Sequence, residues 1–333
     1  MSVADVINGN TNRWARWRPA TIGVEATPSL VAFTPRHFGY ARVPYQRITV
    51  RNTGSQPIRL DNLQAVPQFT ITQAQNWNTQ MINYGETRTF DVRPLDNLRP
   101  GTHVQTIQIR AGGILRAVVV LRFVVTTNVN LHLYYGGHTS ATEVTSIARD
   151  AARPFRSTFY IDMSISTRSV NIDHLRRYRC PSGLAGHCML CLRPPHLRLS
   201  TFGSDALLPF LRGVTNNSTS GLHTLFFDGV LYLTCNPPGG YMGAAQFNHV
   251  LVTSTDEHFH AMGVDFIPKR VAQHEWSHSY GIHFEPWVTS PCTQRCIMMG
   301  EWSDDPSEVS NIWCRRCRDI ILPNQTRTTW PRP

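Results

Sequence analysis

From Ser29 to about Thr127 the chain alternates apolar and polar residues in short runs. Ile48/Val50, Phe90/Val92 and Ile107/Ile109 each set apolar side chains two positions apart, the spacing that turns one face of a strand inward. Strands are predicted over Leu30–Phe33, Arg47–Arg51, Phe69–Thr72, Thr87–Val92, Thr106–Arg110 and Ala117–Val125. Turn-forming residues separate them: Asn52-Thr53-Gly54, Tyr84-Gly85, Pro100-Gly101 and Gly112-Gly113. Short strands punctuated in this way predict a β-sandwich. Residues 1 to 27 show little periodicity and read as an arm. The longest apolar run, Ala117–Val125, is interrupted by Arg122 and falls short of the roughly 18 residues of a membrane span. Met1 to Arg18 lacks the apolar core of a signal peptide, which points to an intracellular chain, to a leader absent from this sequence, or to unconventional export.

After Thr127 the pattern becomes mixed α/β. Val129, Leu131 and Leu133 alternate with polar residues as a strand. Ser140-Ala141-Thr142-Glu143 is a capping box, predicting a helix to about Arg153. Phe159, Ile161, Met163 and Ile165 predict the next strand, and Ser204 a helix through Leu211. Further strands are expected over Thr224–Leu233 and Val250–Ser254. A helix is expected from Pro268, a good first-turn residue, to Tyr280, with Gly281 as its stop. Asp305-Pro306-Ser307-Glu308 announces a last helix.

The helix over 268–280 carries His274-Glu275-Trp276-Ser277-His278. Histidines four positions apart share one helix face, so both imidazoles can reach a single zinc ion. Glu275, beside the first, can take a proton from a water on that ion. Two histidines also occur on plain exposed helices, but the flanking residues favour the metal. His283 follows Gly281 closely, and a glycine turn that swings a third ligand back is the mechanics of the longer motif H-E-x-x-H-x-x-G-x-x-H. Glu285 and Glu301 are weaker candidates for that ligand. Trp276 and Val271 read as core.

The chain has 333 residues, 41% of them hydrophobic, a length more natural for two domains than for one. Its net charge is +10, and Lys269 is its only lysine, so arginine supplies the other 31 of the 32 basic residues. The arginines are scattered, with no dense basic run and no nucleic-acid module, which argues for a solvated basic surface and against a nucleic-acid partner. The eight cysteines form two groups. Cys292-x3-Cys296 and Cys314-x2-Cys317 have spacings that let paired thiolates share one zinc, with disulfides as the alternative. Cys180, Cys188, Cys191 and Cys235 are irregularly spaced and read equally as a zinc knot or as free or disulfide-bonded thiols.

Two resemblances follow from these residues. Phe38-Gly39-Tyr40, Ile48-Thr49-Val50-Arg51-Asn52-Thr53-Gly54, Phe90-Asp91-Val92 and Leu98-Arg99-Pro100-Gly101 resemble immunoglobulin-like modules of bacterial surface and secreted proteins, which implies spacing or adhesion. From about Val129 onward the chain resembles the metzincin metallopeptidases, and within them the archaemetzincins, which pair the zinc motif with C-x4-C-x-M and a later C-x2-C. Here the corresponding residues are Cys292-x3-Cys296-x-Met298 and Cys314-Arg315-Arg316-Cys317. The resemblance implies a catalytic zinc on His274 and His278, with Glu275 as general base; His283, the nearest imidazole after the glycine turn, is read as the third ligand. It also implies a structural zinc on Cys292, Cys296, Cys314 and Cys317, Met298 in a Met-turn beneath the site, a peptide or protein substrate, and an edge strand for extended substrate at Val250–Ser254. The family places its third histidine where this chain has Phe284, one residue later than His283, and Glu285 to Pro291 delays the first cysteine. The expected architecture is therefore multidomain: an arm over 1–27, an all-β immunoglobulin-like sandwich over 28–126, and an α/β metzincin-like zinc peptidase domain over 127–333. A non-catalytic binding or adhesion protein with structural zinc is the alternative.

Overall fold

The computed structural model describes residues 20–137, 139–175, 201–228, 230–232, 240–241, 243–253, 268–282, 296–298 and 313–331. They form a mixed α/β chain of two compact units. The first holds residues up to Pro35, Gly39–Leu98 and Thr102–Val124, and the second Arg36–Phe38, Arg99–Gly101 and the chain from Val125 onward. No helix among the described residues is long and apolar enough to cross a membrane.

The first unit contains an antiparallel sheet in the order β1 (Val24–Thr27), β4 (Gln46–Asn52), β6 (Thr87–Pro94), β5 (Phe69–Gln73). A second layer is built on β8 (Ile114–Tyr135), which pairs with β2 (Leu30–Ala32) and β7 (Gly101–Ala111). Gly112 and Gly113, at φ 60° and 76°, supply the two left-handed residues that a two-residue hairpin turn needs between β7 and β8. The alternating residues Ile48, Val50, Phe90, Val92, Ile107 and Ile109 are all buried. Phe33, just after β2, meets Phe69 of β5 with ring centroids 6.1 Å apart, joining the two layers through the core.

In the second unit the later half of β8 is central. It is parallel to β9 (Ile161–Ser169) on one side and to β11 (Leu222–Phe227) on the other. β15 (His249–Thr253) continues the parallel run beside β11, and β14 (Gly243–Gln246) closes this edge antiparallel to β15. The edge strand is thus β14, and the segment beginning at Val250, expected at the edge, is interior. Arg36–His37 (β3) adds a short parallel pairing to β8, and β10 (Thr201–Gly203), β12 (Val230–Tyr232) and β13 (Gly240–Tyr241) form a separate small sheet.

Helices cover both faces of the main sheet. On one face Val129, Leu131, Leu133, Val250 and Val252 pack with α1 (Ala141–Phe159) and α3 (Pro268–Ser279). On the other, Tyr134, Leu225, Phe227 and Leu251 pack with Leu207 and Leu211 of α2 (Ser204–Val214). The capping box of α1 forms in both directions: Ser140 accepts from the Glu143 amide, and the Ser140 amide donates to Glu143. The helix runs past Arg153, through Pro154, to a left-handed stop at Tyr160. Phe159, expected in a strand, is therefore helical. Its burial one turn after Phe155 continues the apolar stripe Val144, Ala148, Ala151, Phe155, and that stripe outweighs the proline. The helix expected at 305–308 lies outside the described residues; α4 (Arg315–Asn324) follows.

Three histidines sit in register across this sheet: His132 opposite His223, and His223 opposite His249. Their rings stack, with centroids 4.9 Å and 5.3 Å apart. Burial first, then the neighbouring imidazole His132, lowers His223 to about 4; burial, His223 and then Arg212 lower His249 to about 4. An unfolded histidine titrates near 6.5, so between about pH 6.5 and 4 the unfolded chain binds more protons, and stability falls as the pH falls through this window. Discounted for partial solvent screening and for the coupling of the stacked rings, the two together contribute on the order of 2–3 kcal/mol of acid destabilisation. Urea midpoints at pH 7 and pH 4.5 should differ strongly in the wild type and clearly less in His249→Gln; equal pH slopes would remove these histidines as the cause.

Candidate metal centre

Helix α3 opens on Pro268 and ends before Gly281, whose φ of 101° is open to glycine and costly for other residues. Its buried side holds Val271, Ala272 and Trp276. Trp276 donates its indole N–H to Thr224 Oγ1 of β11 at 2.9 Å, pinning the helix to the sheet. Phe155 of α1 packs against Trp276, Tyr280 and Trp313 at centroid distances of 6.2, 5.9 and 4.8 Å. The last turn leaves backbone carbonyls without helical partners, and the C-terminal segment supplies donors for them. Ser279 O accepts from Trp330 Nε1 at 2.7 Å and Arg327 Nη1 at 3.0 Å, and Tyr280 O accepts from Asn324 Nδ2 at 3.1 Å. Trp313 Nε1 donates to Ser277 Oγ at 2.8 Å.

Helical spacing brings His274 and His278 together as expected. His274 Nδ1 lies 2.8 Å from Ile297 O, and His278 Nδ1 lies 2.5 Å from Ile282 O. A carbonyl can only accept, so each Nδ1 carries a proton and each neutral ring turns a lone pair outward on Nε2. The two Nε2 atoms are 3.1 Å apart. Burial first, and then the neighbouring imidazole His278, lowers His274 to about 4, so this ring stays neutral. Two lone pairs held this close repel unless a cation accepts both. Two nitrogens at about 2.05 Å from one tetrahedral zinc would be about 3.3 Å apart, so the donor set fits zinc. Fixing Nδ1 on a carbonyl is also how ligating imidazoles are oriented.

Glu275 is buried beside the first histidine, and burial raises its carboxyl to about 8. It lies against Gly243 of β14, where an added Cβ would come within 2.6 Å of Glu275 Cγ and 2.7 Å of Oε1.

The sulfurs of Cys296, Cys314 and Cys317 lie within 4.8 Å of one another. The Sγ atoms of Cys296 and Cys317 are 3.6 Å apart, far longer than a disulfide. Two sulfurs at about 2.3 Å from one tetrahedral zinc sit about 3.8 Å apart, so these donors also fit. The hydrogen bond with Cys317, opposed by burial, and then the backbone donors Cys314 and Met298 hold Cys296 below the usual thiol range, which favours the thiolate that binds metal. Met298 is buried in the same hydrophobic cluster as Trp276 and Cys317. His283, Cys292, Glu285 and Glu301 lie outside the described residues, as do Cys180, Cys188, Cys191 and Cys235.

Several residues that shape this centre carry no sequence signal for it. The carbonyls of Ile282 and Ile297 act through the backbone alone. Gly243 reads only as one more glycine in a glycine-rich stretch. The donors Arg327 and Trp330 are remote in sequence from the helix they finish.

No protein-family profile matches the chain, and no curated protein matches it. Among solved structures it is similar to an archaemetzincin from Methanopyrus kandleri, at 19% identity over 60% of this chain and 97% of that one, with a TM-score of 0.39. It is similar to a zinc-dependent peptidase from Methanocorpusculum labreanum, at 14% identity over 57% and 99%, with a TM-score of 0.34. It is also similar to a PapD-like domain of human CEP192, at 11% identity over 38% and 97%, with a TM-score of 0.24. With TM-scores below 0.5, these likenesses decide neither fold nor function.

Proposed function

We propose that this chain is a zinc-dependent peptidase of metzincin type, preceded by an immunoglobulin-like sandwich that serves as a spacer or adhesion module. The observation that carries the reading is the pair of Nε2 atoms 3.1 Å apart on a helix whose intervening glutamate is buried. His274 and His278 would hold the metal. His283 is the proposed third ligand, because it directly follows Ile282, whose carbonyl already orients His278. Zinc at this site supplies Lewis acidity, making water a better acid and polarising a peptide carbonyl. Glu275 accepts the proton of the attacking water and returns it to the leaving amine. The carbonyls of Ile297 and Ile282 hold the two imidazoles in the tautomer that binds. Cys296, Cys314 and Cys317, with Cys292 as fourth donor, would hold a second, structural zinc, and Met298 shapes the floor.

Metal content tests the reading. Elemental analysis should find two zinc ions in the wild type and one in His274→Ala/His278→Ala, with cleavage of a quenched peptide library lost in the double variant. His283→Ala should lower zinc affinity and activity much more than Glu285→Ala or Glu301→Ala. If Glu301→Ala empties the site and His283→Ala does not, the metzincin reading is wrong.

A further inference from the structure

We propose that Gly243 is a positioning residue for the general base: the absence of a side chain there lets Glu275 sit in its working place. The inference rests on the peptidase reading and adds a residue to it. Gly243 is on β14, the described edge of the main sheet, opposite Val252 of β15. It faces α3. A Cβ built on it would stand 2.6 Å from Glu275 Cγ, 2.7 Å from Glu275 Oε1 and 2.8 Å from Val271 Cγ1. Val271 and Glu275 are one helical turn apart, so the strand backbone lies across the groove between them.

Glu275 Cγ is the middle of the side chain and cannot swing clear as a flexible tip could. Val271 blocks the other direction with buried packing. Even the smallest side chain at 243 must therefore turn Glu275 to a different rotamer or lift the helix from the strand. Ala245, two residues on and turned to the same face, packs against the same core, so this part of the edge strand presents only small residues to α3. Neither Gly243 nor β14 offers a metal ligand. The glycine acts on the base and leaves the imidazoles, which are held by Ile297 and Ile282, in place.

The decisive experiment is a double-mutant cycle on the full chain. Gly243→Ala should lower kcat about 100-fold, the scale of a base misplaced by about an ångström, with KM within about threefold and zinc content unchanged. Glu275→Asp shortens the side chain and frees the space that the new methyl needs. In the E275D background, the same alanine should cost less than about threefold, a coupling expected only between touching residues. If Gly243→Ala perturbs folding, adding Val271→Ala removes the second clash, and the kcat loss and its relief by Glu275→Asp should persist. Equal fold-losses with Glu275 intact and in the E275D background would reduce Gly243 to a packing role and overturn the proposal. So would a Gly243→Ala enzyme within threefold of wild type while Glu275→Gln is dead, and there the peptidase reading would stand. A wild type that cleaves nothing would remove both.

Discussion

Glu275→Gln is expected to abolish peptide cleavage, by about 10³-fold or more, with zinc content and fold intact. The change keeps the shape of the side chain and removes its basicity. The prediction follows from the proposed role of Glu275 as base: the Nε2 atoms of His274 and His278 converge with each other, while the carboxylate lies against Gly243. Its carboxyl is raised to about 8 by burial, so a buried charge is unfavourable without a nearby cation. A dication on the two imidazoles favours the carboxylate and makes it a competent base near neutral pH. The amide in Glu275→Gln carries no charge penalty, so the thermal midpoint should hold or rise while activity disappears. A Glu275→Gln enzyme that still cleaves would sink the mechanism, and one that loses zinc would make Glu275 a ligand.

The largest effect on stability is expected from Cys317→Ser. Cys317 is fully buried, 3.6 Å from Cys296, within the hydrophobic cluster that also holds Trp276 and Trp313. A thiolate-bound zinc contributes directly to folding, and loss of a metal is among the few changes that cost more than about 4 kcal/mol. One zinc should be lost and the unfolding midpoint should fall steeply. The damage should reach the histidines, because Cys296 precedes Ile297, whose carbonyl orients His274 at 2.8 Å. Weaker binding at the remaining zinc is the sign of that connection. A Cys317→Ser protein with unchanged zinc and midpoint would make the three thiols a packing cluster only.

The parts of this architecture that local chemistry determines were legible in the sequence. Ile48/Val50 and Ile107/Ile109 alternate because one face of each strand is buried, and they are buried. Ser140 and Glu143 define a helix start through hydrogen bonds only three residues apart, and both bonds form. His274 and His278 converge because helical geometry leaves them no alternative. What depends on distant partners was not legible. β15 reads as an edge only through the metzincin resemblance, and its own sequence cannot show that Gly243–Gln246 pairs outside it. Phe159 looked like a strand residue because its alternation with Ile161 is visible, and its packing against Trp313 at 4.7 Å is not. The role of Gly243 depends on a helix that begins 25 residues later, and a glycine looks the same whether it serves a turn or makes room for a carboxylate.

The hydrogen bonds that finish helix α3 also set an order of events during synthesis. Ser279 O receives its donors from Arg327 and Trp330, 48 and 51 residues further along the chain. The histidine motif therefore leaves the ribosome well before the residues that hold its helix end in place. Until Trp330 has emerged and docked, the last turn has exposed carbonyls, and Trp330 has yet to join the core that packs behind the two imidazoles. A nascent chain would then carry the complete motif without a finished site.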